Sequence, residues 1–333
     1  HNVKQLKMVS PEGELYEVGS RGFDSAGLDL LALLHGSEGM LGIVVEVTVE
    51  LLPIPKNIAV VLAAFGSVNE AAGTVNAIIS AGILPAGLEM MDRLAIKAAE
   101  AFVNVGYPLD AEGLLICELD GTDEEVAHQI EKLRLILDNN NAIQVRVATD
   151  EAERMRLWLG RKAAFPAVGR LAPDYYCMDG TIPRSALADV LAKITKFSEQ
   201  HGLDVANVFH AGDGNLHPLI LYDANKAGEI ERAEAFGADI LKLCIEVGGT
   251  ITGEHGVGVE KIDQMCVQFT SEELELFHGV KTAFDELRIL NPGKAVPTLS
   301  RCAEFGAMHV HSDGGEHSHV GLNAQKFSNL DRF

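Results

Sequence analysis

Apolar and polar positions alternate strictly from Val45 to Leu51, which predicts a strand with one buried face. Ahead of it, Val3, Leu6 and Met8, a turn at Ser10-Pro11-Glu12-Gly13, then Leu15 and Tyr16 read as a hairpin. A short apolar helix is expected from Leu28 to Leu34, stopped by Gly36. Pro53 and Pro55 break the pattern, and a domain boundary falls there. From residue 57 the predicted order is strand 58–65, helix 68–81, strand 84–91, helix 92–104, strand 114–119, helix 123–138 and strand 143–147. Ser67 with Glu70 and Thr122 with Glu125 have capping-box spacing, in which each pair satisfies two orphan N–H groups. The repetition predicts an α+β plait of the ferredoxin-like, split-βαβ kind, with helix 92–104 as a departure from it.

The second half continues in the same style. Helix 150–165, strand 175–182, helix 184–201, strands 204–210 and 217–222 and helix 226–247 are expected. A third capping box, Thr270 with Glu273, opens a last helix that Pro292 ends. Residues 301–333 have no apolar period and are expected to run over the surface as a tail. The expected units are therefore 1–55, 56–300 and 301–333.

A chain of 333 residues, at ~100–200 residues per domain, has room for two domains or three. Lys+Arg 27 against Asp+Glu 48 leaves a net charge of −21, which repels polyphosphate and argues against nucleic acid as a partner. The five cysteines lie far apart with no CxxC pair. That spacing argues against a disulfide scaffold, a Cys-rich zinc module or a Cys-ligated iron–sulfur cluster, and points to a reducing compartment. No apolar run reaches the ~20 residues of a membrane span, and no signal peptide opens the chain. The first residue is His1, so the sequence reads as a processed product or a piece of something longer.

Three constellations carry candidate chemistry. In His210-Ala211-Gly212-Asp213-Gly214-Asn215-Leu216-His217-Pro218 the Gly-Asp-Gly-Asn run is strong turn chemistry between β-like flanks. A tight reversal brings His210 and His217 together, which suits a divalent transition metal, with Asp213 as an outer acceptor. The alternative is a hairpin whose two His cap backbone groups. In Thr250-Ile251-Thr252-Gly253-Glu254-His255-Gly256-Val257-Gly258, Glu254 would complete a His/His/Glu set with an open position. His255 would then be spare as a proton acceptor. The alternative is a Gly-rich loop with two solvated polar residues. The third is a basic island of Arg154, Arg156, Arg161, Lys162 and Arg170. Trp158, Arg161 and Phe165 share a helix face, which would set Arg161 beside apolar cover as a carboxylate clamp. Ion pairs to Glu151 and Glu153 on a solvated face are the equal alternative. Weaker signals are the glycine-rich stretch Gly36–Gly42 and the tail pairs His309/His311 and His317/His319.

Five segments in order resemble the FAD-linked oxidases of the D-lactate dehydrogenase and glycolate oxidase type. They are Gly36–Gly42, Arg161–Pro183 with Asp174-Tyr175-Tyr176-Cys177-Met178-Asp179-Gly180, His210–Pro218, Gly253–Gly258 and Asn291-Pro292-Gly293-Lys294. The stretch Arg301–His309 looks like the flavin-subunit branch of the bacterial glycolate oxidases. The resemblance implies that 1–55 is the remainder of an FAD-binding α/β subdomain. Residues 56–300 would be the FAD-linked oxidase C-terminal domain, which caps the substrate. It places His210, His217 and Glu254 at metal-ligand positions, for zinc, iron or manganese, and His255 at the catalytic base. Arg161 falls where the substrate carboxylate is gripped, and Asn215 where the pocket is lined. Glu38, Gly39, Gly42, Ile43, Asn291 and Lys294 fall against the flavin.

Two departures shape the expectation. The chain begins inside the second FAD subdomain, so the Gly-rich pyrophosphate loop is absent from it. Some relatives carry Lys where this chain has Cys177, which favours a small monocarboxylate such as glycolate or D-lactate. The implied reaction is FAD-dependent, metal-assisted oxidation of a 2-hydroxy acid, with hydride passing to flavin. Implied partners are a second flavin-domain subunit and an iron–sulfur subunit, at the inner face of the bacterial membrane from the cytoplasmic side. Other readings are a flavin-free metal-dependent hydrolase on the same His/His/Glu set, or a truncated, non-catalytic subunit.

Overall fold

A computed structural model describes residues 2–22, 27–298 and 302. The expected tail, with its pairs His309/His311 and His317/His319, lies outside the described residues except for Cys302. The chain opens with β1 (Val3–Val9) and β2 (Leu15–Gly19), the expected hairpin, then α1 (Leu30–Leu34) and β3 (Ile43–Val49). These strands form an antiparallel sheet in the order β2-β1-β3. Leu6, Met8, Leu34, Met40 and Leu41 make its small core. Gly42 is required there, because a Cβ would stand 1.8 Å from Met8 Cε. The alternation in β3 predicted one buried face, yet Ile43, Val44, Val45, Val47 and Val49 are all 43–56% exposed. The reason is position: α1 packs on β1 and β2, and β3 at the sheet edge stays open.

The rest builds one nine-stranded sheet. Its elements are β4 (Asn57–Phe65), α2 (Val68–Ser80), β5 (Gly87–Asp92), α3 (Arg93–Val103), β6 (Gly113–Gly121), α4 (Asp123–Asn139) and β7 (Ala142–Val147). There follow α5 (Glu151–Val168), β8 (Asp174–Cys177), β9 (Gly180–Thr181), α6 (Leu187–His201), β10 (Val205–His210), β11 (Asn215–Leu216) and β12 (Pro218–Tyr222). Helices α7 (Glu229–Glu246), α8 (Ile262–Gln268) and α9 (Ser271–Phe284) close the chain. The strand order is β7-β4-β6-β5-β10-β11-β9, with β12 pairing β10 and β8. Within it, β7-β4-β6-β5 is the split-βαβ arrangement the sequence predicted.

Both faces of this sheet are buried, which is why its strands read as near-continuous apolar runs. Along β4, Val61, Ala63 and Phe65 enter a core with α2, α4, α6 and α7. Val60, Leu62 and Ala64 enter a second core with α3 and α5. Period 2 assigns them, since successive side chains point to opposite faces. The extra helix 92–104 is thus α3, lying with α5 on the face away from α2 and α4.

Thr122/Glu125 and Thr270/Glu273 form complete capping boxes. Ser67 caps the Glu70 N–H, but the Glu70 carboxylate turns to the Ser67 hydroxyl, so that box is half made. The single strand expected over 175–182 is two, β8 and β9, separated at Met178-Asp179. Helix α8 was not foreseen. The last helix ends at Phe284 rather than running to Pro292, because Asp285 folds the chain back. Its carboxylate accepts the N–H groups of Ile289 and Leu290 and pairs with Lys281.

Cys266 on α8 is joined to Cys302 in a disulfide, with Cα atoms 5.3 Å apart. Helix α9 returns the chain to α8, and spacing along a sequence does not reveal such a partner. The pair removes the cysteine argument for a reducing compartment. Cys117, Cys177 and Cys244 are free thiols.

Asp285 also supports a pH prediction. Burial opposes its charge, but hydrogen bonds from Lys281, Leu290 and Ile289 outweigh burial and hold the carboxyl below its usual range. A depressed native pKa adds stability above the unfolded value, and that stability is lost as pH falls through the folded value. Urea unfolding of Asp285→Asn is therefore expected to lose less stability than the parent on acidification below about pH 4. Parallel losses in both proteins would refute it.

Candidate functional site

A row of residues crosses four strands of the large sheet. Glu89 on β5 is paired with His210 on β10, His210 with Asn215 on β11, and Asn215 with Thr181 on β9. The Gly-Asp-Gly-Asn reversal after β10 forms as expected. Gly214 has φ +77° there, and a Cβ would stand 2.2 Å from the Ile182 carbonyl oxygen, so no larger residue fits. The reversal sets the rings of His210 and His217 edge to face, with centroids 5.2 Å apart.

The Gly253–Gly258 loop closes over this row. Its Glu254 Oε1 lies 3.3 Å from His217 Nε2, 3.6 Å from His210 Nε2 and 4.0 Å from His255 Nε2. His255 stacks on His217 at 5.0 Å, and Phe165 covers His217 from another side at 6.2 Å. One oxygen therefore meets three imidazoles.

Glu89 is the acceptor that the sequence reading missed. Its Oε1 lies 2.7 Å from His210 Nδ1, and its Oε2 accepts from Arg161 Nε at 2.9 Å and Nη2 at 2.8 Å. The Glu89 hydrogen bond raises the His210 pKa, with burial working against it. Asp213, expected in that role, is exposed at the tip of the turn. Arg161 does not project from the helix face as a free clamp: it is only 7% exposed and bound to Glu89. Of the basic island it alone is buried. Arg154 reaches Glu151 and the Ile58 carbonyl, and Arg170 lies over the Phe102 ring.

Asp179 is the second missed residue. It is fully buried between β8 and β9, with Lys261 bound to it at 3.0 Å and His217 Nε2 3.4 Å away. Burial opposes its charge, but hydrogen bonds from His217, the His255 N–H, Lys261 and Thr252 outweigh burial and hold it well below the carboxylate range. The signal available for both was a charge in an otherwise apolar buried stretch, Leu88-Glu89-Met90-Met91 and Cys177-Met178-Asp179-Gly180. Buried charges are normally paired.

The donor set fits a divalent metal. Two ligands about 2.0–2.1 Å from one tetrahedral ion stand about 3.3 Å apart, which is the spacing of Glu254 Oε1 to His217 and close to that of His210. Carboxylate support on the far nitrogen, as Glu89 gives His210, is the usual outer partner of a ligating His. Buried His217 Nδ1 and Asn215 Oδ1 find no hydrogen-bond partner among the described residues. The group whose ligand atoms lie within 4.8 Å of one another is Asp179, His217, Glu254 and His255, which shares His217 and Glu254 with the expected triad and leaves out His210.

The expected flavin-side residues form a separate junction. Glu38, at φ +53°, accepts from the Val257 and Gly258 N–H groups, and its own carbonyl accepts from Asn291 Nδ2. Gly39 faces Asn291, and Lys294 reaches the Asn291 side chain at 3.5 Å. Glu38 is thus engaged by the loop and Gly42 packs on Met8, while the Ile43 side chain and Lys294 are exposed.

The chain is 58% identical over its full length to glycolate oxidase subunit GlcD of Escherichia coli (strain K12), spanning 65% of that protein. It is 38% identical over 87% of the chain to the subunit of the same name from Bacillus subtilis (strain 168), covering 62% of it. It is 32% identical over 89% of the chain to the mitochondrial D-lactate dehydrogenase [cytochrome] of Arabidopsis thaliana, covering 52% of it. The chain thus spans from 52% to 65% of the length of these relatives. Among solved structures, substrate-bound p-cresol methylhydroxylase shares the fold, with a TM-score of 0.69 over 90% of this chain and 66% of its own, at 16% identity. Residues 54–295 match the family described as FAD linked oxidases, C-terminal domain, and the chain belongs to that family.

Proposed function

We propose that this chain is the substrate-side part of an FAD-dependent enzyme that oxidises a small 2-hydroxy acid, glycolate or D-lactate, to the 2-oxo acid. The observation that carries the reading is the meeting of His210, His217 and His255 around Glu254 Oε1, beside a buried guanidinium. In it, residues 1–55 complete an FAD-binding domain, 56–300 cap the substrate, and Ile43 and Lys294 face the flavin. His210, His217 and Glu254 hold zinc, iron or manganese, since Asp179 already accepts Lys261 and three loop N–H groups. When bound, the metal polarises the substrate hydroxyl and the flavin accepts the hydride.

The chain's own residues do the rest. His255, 47% exposed on its loop, is placed to take the hydroxyl proton at Nε2. Arg161 meets the carboxylate through Nη1, the guanidinium nitrogen not bonded to Glu89. Asn215 and Phe165 wall the site around His217. The relatives named subunits suggest partner chains, in this reading a second flavin subunit and an iron–sulfur subunit. No described helix is long and apolar enough to cross a membrane, so attachment to the inner membrane face would run through those partners.

The test uses the full-length protein with flavin bound. Anaerobic glycolate or D-lactate is expected to bleach the flavin, and His255→Ala to slow bleaching by roughly 10²–10⁴-fold with flavin and metal retained. Unchanged bleaching in the variant would overturn the role of His255. No bleaching by either acid in the parent would overturn the substrate class.

A further inference from the structure

The loop that carries Glu254 and His255 has an unusual source of order. Backbone N–H groups find partners in ladders, side chains or water, and here none of the six from 253 to 258 relies on a helix or strand ladder. Gly253 donates to the Asp179 backbone carbonyl at 2.8 Å and also to its carboxylate at 3.1 Å, and Glu254 and His255 donate to that carboxylate at 3.1 and 2.9 Å. Gly256 donates to the Thr252 hydroxyl, which itself donates to Asp179 at 2.8 Å. Val257 and Gly258 donate to Glu38 at 2.7 and 2.8 Å. Two carboxylates and one hydroxyl hold the N–H groups from 254 to 258, and the Asp179 backbone carbonyl shares that of Gly253.

The two carboxylates differ in kind. Glu38 is exposed, where water competes for the same donors, whereas Asp179 is 0% exposed and paired with Lys261 at 2%. Asp179 also stands 3.4 Å from His217 Nε2, so a single group touches the backbone of two loop residues of the site and the side chain of a third.

We propose that Asp179, held in place by Lys261, is a positioning residue that sets Glu254 and His255 against His217, so that the donor set exists before any metal arrives. An asparagine at 179 offers one acceptor oxygen to donors that now share two. The inference rests on the metal reading of the site, and its test separates the two.

The informative comparison is Asp179→Asn against the double variant Asp179→Asn/Lys261→Met in this chain. The single variant strands the buried Lys261 charge and is expected to lose stability. The double variant removes both charges and is expected to regain most of it. Zinc affinity, read by competition with a chelator, is expected to fall roughly 10–100-fold in both. Zinc affinity that recovers with stability in the double variant would reduce Asp179 to a structural role and overturn the proposal. Amide exchange gives a readout independent of metal: the amides of Glu254 and His255 are expected to exchange at least about tenfold faster in the double variant, while core strand amides keep their protection. Unchanged loop exchange overturns the positioning role. A parent chain that binds no zinc while the loop exchange behaves as expected overturns the metal reading and leaves the loop anchor standing.

Discussion

Replacing Glu89 by Gln is expected to cost about 3–5 kcal/mol of folding stability, the cost of breaking a buried ion pair from one side. Glu89 is 8% and Arg161 7% exposed, and both Oε2 contacts to the guanidinium are under 3 Å. With a neutral amide at 89, the Arg161 charge stays buried without its partner. Surface pairs such as Lys7 with Glu46, by contrast, are worth ~0–1 kcal/mol. Urea unfolding of Glu89→Gln, Arg161→Met and the double variant would measure the coupling. The double variant is expected to recover most of the loss, because both charges are gone. Equal, additive losses would show that the two residues act independently. In the same Glu89 variant His210 loses the charge on its Nδ1 acceptor, so zinc affinity is expected to drop roughly 10–100-fold as well.

The largest effect on metal is expected from His217→Ala. His217 is 2% exposed, and its Nε2 is the nitrogen nearest Glu254 Oε1. Removing it takes away a ligand rather than a ligand's support, so the loss should exceed the roughly 10–100-fold of an outer partner. Elemental analysis of untagged protein, ended at residue 308 to remove the tail histidines, should give about one zinc per parent chain and none in the variant. Zinc retained in stoichiometric amount by His217→Ala would sink the ligand assignment. The stacked ring of His255 and the edge of Phe165 lose their neighbour too. A folded variant by circular dichroism is therefore part of the result.

Much of this was legible before any coordinates. Strands β4 to β7 and their helices follow from apolar runs and caps, because both sheet faces are buried and the runs are long. The His210–His217 reversal follows from Gly214 and its neighbours, since backbone conformations that need glycine are written in the chain. Glu89 and Asp179 were not read as site residues, because their partners come from strands and loops remote in sequence. Arg161 was read as open to a ligand for the same reason: helical spacing gives its face but not the carboxylate that β5 presents to it. The exposed apolar face of β3 escaped too, since alternation says that a face wants cover and not whether the chain supplies it.

The loop that joins Glu254 to His255 also sets the order in which the molecule can be built. Its two anchoring carboxylates are 75 and 219 residues away along the chain, from Asp179 to Glu254 and from Glu38 to Val257. Contacts of such separation are the ones a folding chain closes slowly. Strands β4 to β7 all lie within residues 57–147, so they can pair while the rest of the polypeptide is still emerging. The site then comes last, when sequence from both ends has arrived. A chain cut short after α7 would keep all nine strands and the helix that covers them, and would hold His210 and His217 with neither Glu254 nor His255 beside them.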